Sequence, residues 1–498
     1  MPYNLTTEML LCKRLPVRPW SLLRAIYTNN QLSVNLLHSE CIRHTSMLRI
    51  LLIYSLFIPM GAFCSTSYHI GNSLTWDMQP LGLSAMAALA GRDHQTGYHI
   101  RSGMHLDYIW NNPNDVTITN SFGNFVTALS SYNWDYVTIQ PHHRTGSTLG
   151  LDQAAITNFI DLTLAGPSQA PIFYIYSAWP RLSNDYQTFW NQPIPNDPDQ
   201  ITIHAREYFT VLHNNLISNY GNTIQLYVIP VGEVLFRLDQ EFRQGNSPGF
   251  NDTSDLYRDS AHLTMDIGRF IAATTTYATI FREDPTGLAR PGGNYLKSDG
   301  TTSLTDDLRI QIQNIVWEVV SQHPLSGIDI TPNAFSFTNQ TGVNLGTSIT
   351  SNAITIAGIN AATRISILGG EYAINGGTYT SSIGTVVNGD NITVKTRSSM
   401  NYSTSTSAIL SIADMSDAFG ISTLDKPAVP ANNRGGGCTL STHDNTSDTG
   451  IPMTILLLLL AICWNMRQHT SLGVRQHSCH SVDSRLTGSG VSSTTPEN

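Results

Sequence analysis

Between Ser65 and Gly437 the chain has no cysteine; all six lie outside that stretch, at Cys12, Cys41, Cys64, Cys438, Cys463 and Cys479. This rules out a disulfide framework and a cysteine-ligated zinc site across the middle of the molecule, whose stability must come from packing. Charge is scarce too: Asp, Glu, Lys and Arg make up 13 % of the residues, against about 25 % in an average soluble protein. The formal net charge of -9 is spread along the chain. No Lys/Arg cluster of the kind that tracks a phosphate backbone is present, which argues against a nucleic-acid partner. Long apolar runs are also missing, and neither of the two strongest reaches the ~20 residues that span a bilayer comfortably.

What is there is a chain of 498 residues, 41 % of them apolar, enough for two or three domains with real cores. The polarity comes from Ser, Thr, Asn and Gly, a composition suited to an exported protein rich in β structure and polar loops.

The first apolar run, in "MLRILLIYSLFIPMGAFCS", has one Arg ahead of it and small residues at Ala62 and Cys64. It is expected to be a signal peptide over 47–64, cleaved near Cys64. Lipidation of Cys64 is disfavoured by the bulky Phe63. Residues 1–46 are expected to be an upstream extension, with translation starting at Met47; a peptide from that stretch in purified protein would refute this. The second run, 451–464, follows a Gly-rich piece and precedes Arg467. It resembles the C-terminal sorting tails of exported bacterial proteins, with membrane contact through 451–464 and a disordered tail at 465–498.

From 68 to 325, apolar β-rich runs alternate with helix-like stretches, which predicts an α/β domain with a mostly parallel five-stranded sheet in a three-layer α/β/α arrangement. The strands are expected in "SYHIG", "TGYHIRS", "DYVTIQ", "PIFYIYSA" and "IQLYVIPV". Helices are expected over Leu83 to Ala90, Ala154 to Leu164, Ile203 to Ser218, Met265 to Phe281 and Asp306 to Gln322. Over 329–419 short alternating strands with Asn-Gly turns at Asn375 and Asn388 predict a small all-β sandwich. It resembles the Ig-like modules that accompany catalytic domains in exported bacterial proteins. A flexible linker is expected over 420–450.

Ser73, in "YHIGNSLTWDMQP", follows the first strand and precedes a helix-like run. A Ser at such a turn exposes its hydroxyl at the carboxyl end of the sheet, where open α/β folds bind ligands. Ser is equally a favoured helix cap. Asp259 and His262, in "LYRDSAHLTMDIG", can lie side by side, the carboxylate fixing the ring so that its other nitrogen takes a proton from a hydroxyl. The alternative is that Asp259 or Ser260 caps the following helix and His262 is a surface residue. His142 and His143 point apart in extended chain and have no companions at metal-ligand spacing, so no metal is expected. Glu233 could touch substrate or pair with Arg237, one helical turn on. Trp179 and Tyr186 could stack on a sugar or pack beneath their long loop.

Taken together, "GNSLT" near the start of the domain and "DSAH" near its end resemble the SGNH/GDSL hydrolase superfamily of serine esterases, over roughly Tyr68 to Gln322. The resemblance implies Ser73 as nucleophile, His262 as general base and then acid, and Asp259 as its orienting carboxylate. It also implies an oxyanion hole built on the amides of Ser73 and Gly103. The family's third block, G-x-N-D, is replaced by "VTIQPHHRTG", which leaves His142 or Gln140 as the further donor. The expected function is therefore hydrolysis of a carboxylic ester through an acyl-enzyme without cofactor, with an acetylated glycan as preferred substrate. The rival is a catalytically impaired cell-surface protein that binds carbohydrate on the same fold.

Overall fold

The computed structural model describes residues 64–142, 147–183, 185–194, 204–292 and 304–428. The upstream extension (1–46), all of the signal segment except Cys64, most of the linker, the apolar run 451–464, the tail 465–498 and His143 lie outside the described residues.

The N-terminal region is mixed α/β around one mostly parallel sheet. Strand β1 (Ser65–Gly71) pairs in parallel with β2 (His94–Ile100) on one side and β4 (Tyr136–Ile139) on the other. Beyond β4 come β5 (Ile172–Tyr176) and β6 (Gln225–Ile229), again parallel. These five strands lie where the sequence placed them. The sheet nevertheless has six strands, because β3 (Ile118–Thr119) adds antiparallel to β2 at the edge, giving the order β3-β2-β1-β4-β5-β6. Two residues are too few to carry an alternating pattern, so β3 left no sequence signal.

Ten α-helices connect these strands among the described residues. They are α1 (Ser73–Asp77), α2 (Pro80–Leu89), α3 (Leu106–Asn111), α4 (Phe125–Ser131) and α5 (Leu149–Ala165), followed by α6 (Tyr186–Trp190), α7 (Arg206–Tyr220), α8 (Val231–Arg243), α9 (Ile267–Phe281) and α10 (Asp306–Gln322). The expected helix at Leu83 starts earlier because Pro80 fills the first turn, where its missing N–H costs nothing. The helix expected at Ala154 starts at Leu149, where the Thr148 hydroxyl caps the Leu151 amide at 3.2 Å.

The helices fall into two groups that pack among themselves, one of α2, α8, α9 and α10, the other of α3, α4, α5 and α7. Almost all of α9 is buried. Its Thr275, Thr276 and Thr279 are accommodated because each hydroxyl donates to the carbonyl four residues back, at 2.8 to 2.9 Å.

The strand order reverses between β1 and β4: the chain leaves β1 toward β2 and later returns to β4 on the opposite side. Such a switch point opens a crevice at the carboxyl ends of the two strands. Ser73 follows β1, and Gln140 follows β4.

The C-terminal region is β-rich. Strands β7 (Gln340–Val343), β8 (Ser348–Thr350), β9 (Ile354–Thr355), β10 (Thr363–Leu368), β11 (Glu371–Ile374), β12 (Gly384–Val386), β13 (Asn391–Arg397), β14 (Ser405–Ile412) and β15 (Met415–Thr423) form two sheets, β12-β10-β14-β15-β7 and β11-β13-β8. Both sheets contribute to one core around Ile365, Tyr372, Ile392, Val394, Leu410 and Phe419. Asn375 and Gly376, at φ 51° and 73°, make the tight turn that their sequence predicts. Asn388–Gly389 differs, for it carries the chain from β12 to β13, which belong to different sheets. The linker expected from 420 begins later, because Phe419, Ile421 and Thr423 alternate inward as the end of β15.

Candidate active site

The turn after β1 is built by Asn72, not by Ser73. Asn72 is the cap of α1, its Oδ1 accepting from the Leu74 amide at 2.9 Å. Ser73 is thereby spared the capping role and its hydroxyl is left for other use. The amides of Ser73 and Gly103 donate to no group among the described residues. Gly103, at φ 70°, sits in the turn after β2, a left-handed conformation that favours glycine. That turn is held at the same end of the sheet by Asn72, whose Nδ2 donates to the Met104 carbonyl at 3.1 Å.

The second half of the site comes from the chain ahead of α9. Tyr257 and Leu263 pair as a short antiparallel bridge, and the Arg258 amide donates to the His262 carbonyl at 3.0 Å. Asp259 and His262 therefore stand on a closed turn. The cap position of α9 belongs to Asp266, so Asp259 is not a helix cap. Its Oδ1 accepts from the amides of Ala261 and His262, both at 2.9 Å, and both carboxylate oxygens lie 2.9 Å from His262 Nδ1. Partial burial pushes the Asp259 carboxyl up, but the two amides and the imidazole outweigh it and hold it down at about 2.

His262 Nε2 then stands 2.8 Å from Ser73 Oγ. The three side chains that two separate motifs singled out thus form one continuous hydrogen-bonded line, Asp259–His262–Ser73. With the carboxylate accepting from Nδ1–H, the geometry favours the tautomer whose Nε2 accepts the serine proton.

Asp77, which the sequence gave no reason to single out, joins the two halves. It is fully buried at the end of α1. Its Oδ1 accepts from Arg258 at 3.0 Å and from Arg269 Nε and Nη2 at 3.1 and 3.0 Å, and its Oδ2 accepts from the Leu263 amide at 3.1 Å. The signal was an acidic residue one turn past the Ser, visible only once its two distant arginines are placed.

Gln140 lies beneath the turn that carries Ser73. Its Oε1 accepts from the Asn72 amide at 3.1 Å and from the Thr75 hydroxyl at 2.9 Å, while its Nε2 donates to the Pro141 carbonyl. These bonds turn the buried carboxamide inward and commit it to shaping the turn. His142 instead lines the pocket beside the triad, together with Leu74, Ala178, Trp179, Pro180, Arg181, Phe189, His204 and Ala261. Two of its lining residues, Leu74 and Ala261, are the chain neighbours of Ser73 and His262. The pocket is small, about 30 Å³.

His204 was not anticipated. It stacks on Tyr208 with ring centroids 4.0 Å apart, and its Nε2 lies 3.5 Å from the buried Asp152 carboxylate. Tyr208 and Ser147 also donate to Asp152, at 2.6 and 2.9 Å.

The remaining expected substrate contacts are placed differently. Glu233 is held by Arg206, at 2.8 and 2.7 Å, and by the Trp190 indole at 2.7 Å. Arg237, its expected partner, binds Glu241 and Glu318 instead. Tyr186 is buried against Trp190 and donates to the Gly232 carbonyl at 3.0 Å, so its face is closed to a sugar. Trp179 forms a wall of the pocket, but it too is buried, its indole N–H given to the Ala261 carbonyl at 2.8 Å. Both rings are large apolar surfaces that pack beneath the loop. Among the described residues no group of three His, Cys, Asp or Glu side chains is placed to hold a metal ion, and no helix is long and apolar enough to cross a membrane.

No family model and no curated protein matches the chain. Among solved structures, the chain is similar to a DUF4886 family protein from Bacteroides uniformis at 14 % identity and a TM-score of 0.38, over 52 % of this chain and 95 % of that one. It is also similar to the endo-fucoidan hydrolase MfFcnA9 of glycoside hydrolase family 107 at 11 % identity and a TM-score of 0.17, over 65 % and 56 %. Likenesses at these scores bear on neither fold nor chemistry.

Proposed function

We propose that the protein is an exported serine esterase of the SGNH/GDSL type, with a three-layer α/β/α catalytic domain and an Ig-like β module. The observation that carries this is the line of short hydrogen bonds Asp259–His262–Ser73 at the carboxyl end of the sheet.

In the first half-reaction Ser73 Oγ attacks the ester carbonyl as His262 Nε2 takes its proton. Asp259 holds Nδ1–H and stabilises the imidazolium that forms. The carbonyl oxygen becomes an oxyanion facing the amides of Ser73 and Gly103, a type of contact worth about 3–4 kcal/mol per donor. Collapse expels the alcohol, which receives the proton from His262. Water then attacks the acyl-serine by the same route, with His262 again as base, releasing the acid and free Ser73.

The small pocket, lined in part by Leu74 and Ala261, favours an acetyl group over a long acyl chain. Deacetylation of a polysaccharide or glycoconjugate is the substrate class this supports. A second assignment, a carbohydrate-binding surface protein with impaired catalysis, is favoured by one observation: Gln140, which replaces part of the family's third block, spends its amide inside the fold. Hydrolysis of p-nitrophenyl acetate by the purified protein and by Ser73→Ala separates the two. The esterase predicts a loss of at least about a thousandfold in kcat for the variant; equal rates would leave only the binding protein.

A further inference from the structure

Arg181 is exposed at the rim of the pocket, and it makes no hydrogen bond or ion pair among the described residues. Among the described residues, Arg206 binds Glu233, Arg243 binds Asp185 and Asp239, and Arg258 and Arg269 bind Asp77.

The backbone around Arg181 is not loose. The Trp179 indole donates to the Ala261 carbonyl at 2.8 Å, Tyr257 Oη donates to the Pro180 carbonyl at 2.7 Å, and the Leu182 amide donates to the Ser260 carbonyl at 3.0 Å. Three bonds on either side of Arg181 thus tie its segment to the turn that carries Asp259 and His262. The backbone that carries Arg181 is thus held at a fixed place beside the turn of Asp259 and His262, and its exposed guanidinium is open to a charge-assisted contact. The other polar side chains facing the pocket, His142 and His204, carry no negative charge, and Asp259 is committed to His262. Among the described residues, Arg181 is thus the one formally charged side chain lining the pocket, in a chain of net charge -9.

We infer that Arg181 forms an anion subsite, and that the substrate carries a carboxylate next to the ester that is cleaved, as an acetylated uronic acid does. The placement next to the ester rests on the esterase assignment; the binding of the anion does not. Arg suits this task because its planar fork engages both oxygens of a carboxylate, and the strength of the contact falls as salt rises.

The test is calorimetry on the full Ser73→Ala chain with three unreactive ligands: an oligogalacturonate, a sulfated oligosaccharide of similar length and a neutral oligosaccharide. The oligogalacturonate is expected to bind at least about tenfold more tightly than the neutral ligand, and Arg181→Gln to remove that preference while Arg181→Lys restores part of it. Tighter binding of the sulfated ligand that also depends on Arg181 would overturn the carboxylate and leave an anion subsite for sulfate. No preference for either anion, or a preference untouched by Arg181→Gln, would overturn the subsite itself. On the active protein, the ratio of kcat/KM for acetylated galacturonate to that for p-nitrophenyl acetate should fall about tenfold in Arg181→Gln. Failure of the wild type to hydrolyse any ester would count against the esterase alone, since the calorimetry reads binding without turnover.

Discussion

Asp77 and Arg269 form a buried ion pair, 3.0 Å between Nη2 and Oδ1, that joins the helix bearing Ser73 to the helix following His262. Arg258 reaches the same carboxylate oxygen from the turn that carries Asp259 and His262. The two halves of the triad are thus held together by a charged contact one layer below the reacting atoms.

Replacing Asp77 with Asn leaves two guanidinium groups, one of them buried, without their shared negative charge, and sets an NH2 donor in place of one of the two acceptor oxygens. Loss of one partner of a buried pair costs about 3–5 kcal/mol. Asp77→Asn should lower the urea midpoint accordingly. At temperatures where it remains folded, kcat on p-nitrophenyl acetate should fall with little change in KM, because the alignment of Ser73 and His262 suffers rather than the pocket. A variant of wild-type stability and wild-type kcat would show that the clamp does not govern the site.

Asp259 stays ionised far into acid, since its carboxyl is held down at about 2. Within the range where the protein is folded, the acid limb of kcat/KM should therefore follow a single ionisation and not two. Asp259→Asn should reduce kcat by about 10²- to 10⁴-fold, as expected when a catalytic histidine loses its orienting carboxylate. Rates on either side of pH 4 that demand a second proton would contradict this.

Burial, the largest cause in each case, depresses four histidines: His69 to about 3, and His94, His99 and His323 to about 4. His69 and His94 share the Ser67 hydroxyl, at 2.8 and 2.9 Å, in the heart of the sheet. In the unfolded chain these rings take up protons below about pH 6.5, while the folded protein keeps them neutral until about pH 4 or lower. The unfolded state then binds more protons, so stability is full above about pH 6.5 and falls as the pH drops below it, by up to about 1.4 kcal/mol per pH unit for each histidine. Urea midpoints measured from pH 8 to pH 4 should show this decline, and a flat profile would count against it.

Gly71 has no room for a side chain: a Cβ there would collide with Thr75 Oγ1 and stand 2.8 Å from Gln140 Oε1. Gly71→Ala must push aside the two groups that support the nucleophile turn, and should reduce both stability and activity. Gln140→Leu, which leaves the Asn72 amide and Thr75 hydroxyl unsatisfied, should cost about 1–3 kcal/mol. A thermal melt of each variant beside its esterase rate would check both.

The five parallel strands were legible because each is a short β-rich run bounded by helix-like sequence, and the Ser and D-x-x-H motifs were legible because each is local. What could not be read is everything that depends on chain brought from afar. Glu233 has Arg237 one turn away, yet the guanidinium of Arg206 reaches it from another helix. Trp179 and Tyr186 have the chemistry of sugar platforms, but their exposure is decided by tertiary packing that periodicity does not encode. Likewise Asn72 rather than Ser73 takes the capping role because the helix begins at Ser73 and leaves Asn72 as the extended residue before it, a boundary that composition leaves open.

Ser73 and His262 are 189 positions apart along the chain, on the first strand's exit and just ahead of α9. No early portion of the polypeptide contains both, so a chain that is still emerging has not yet brought His262 to Ser73 or Arg269 to Asp77. On the proposed esterase assignment, hydrolysis of p-nitrophenyl acetate by a refolding chain should therefore appear only once the whole α/β region has closed.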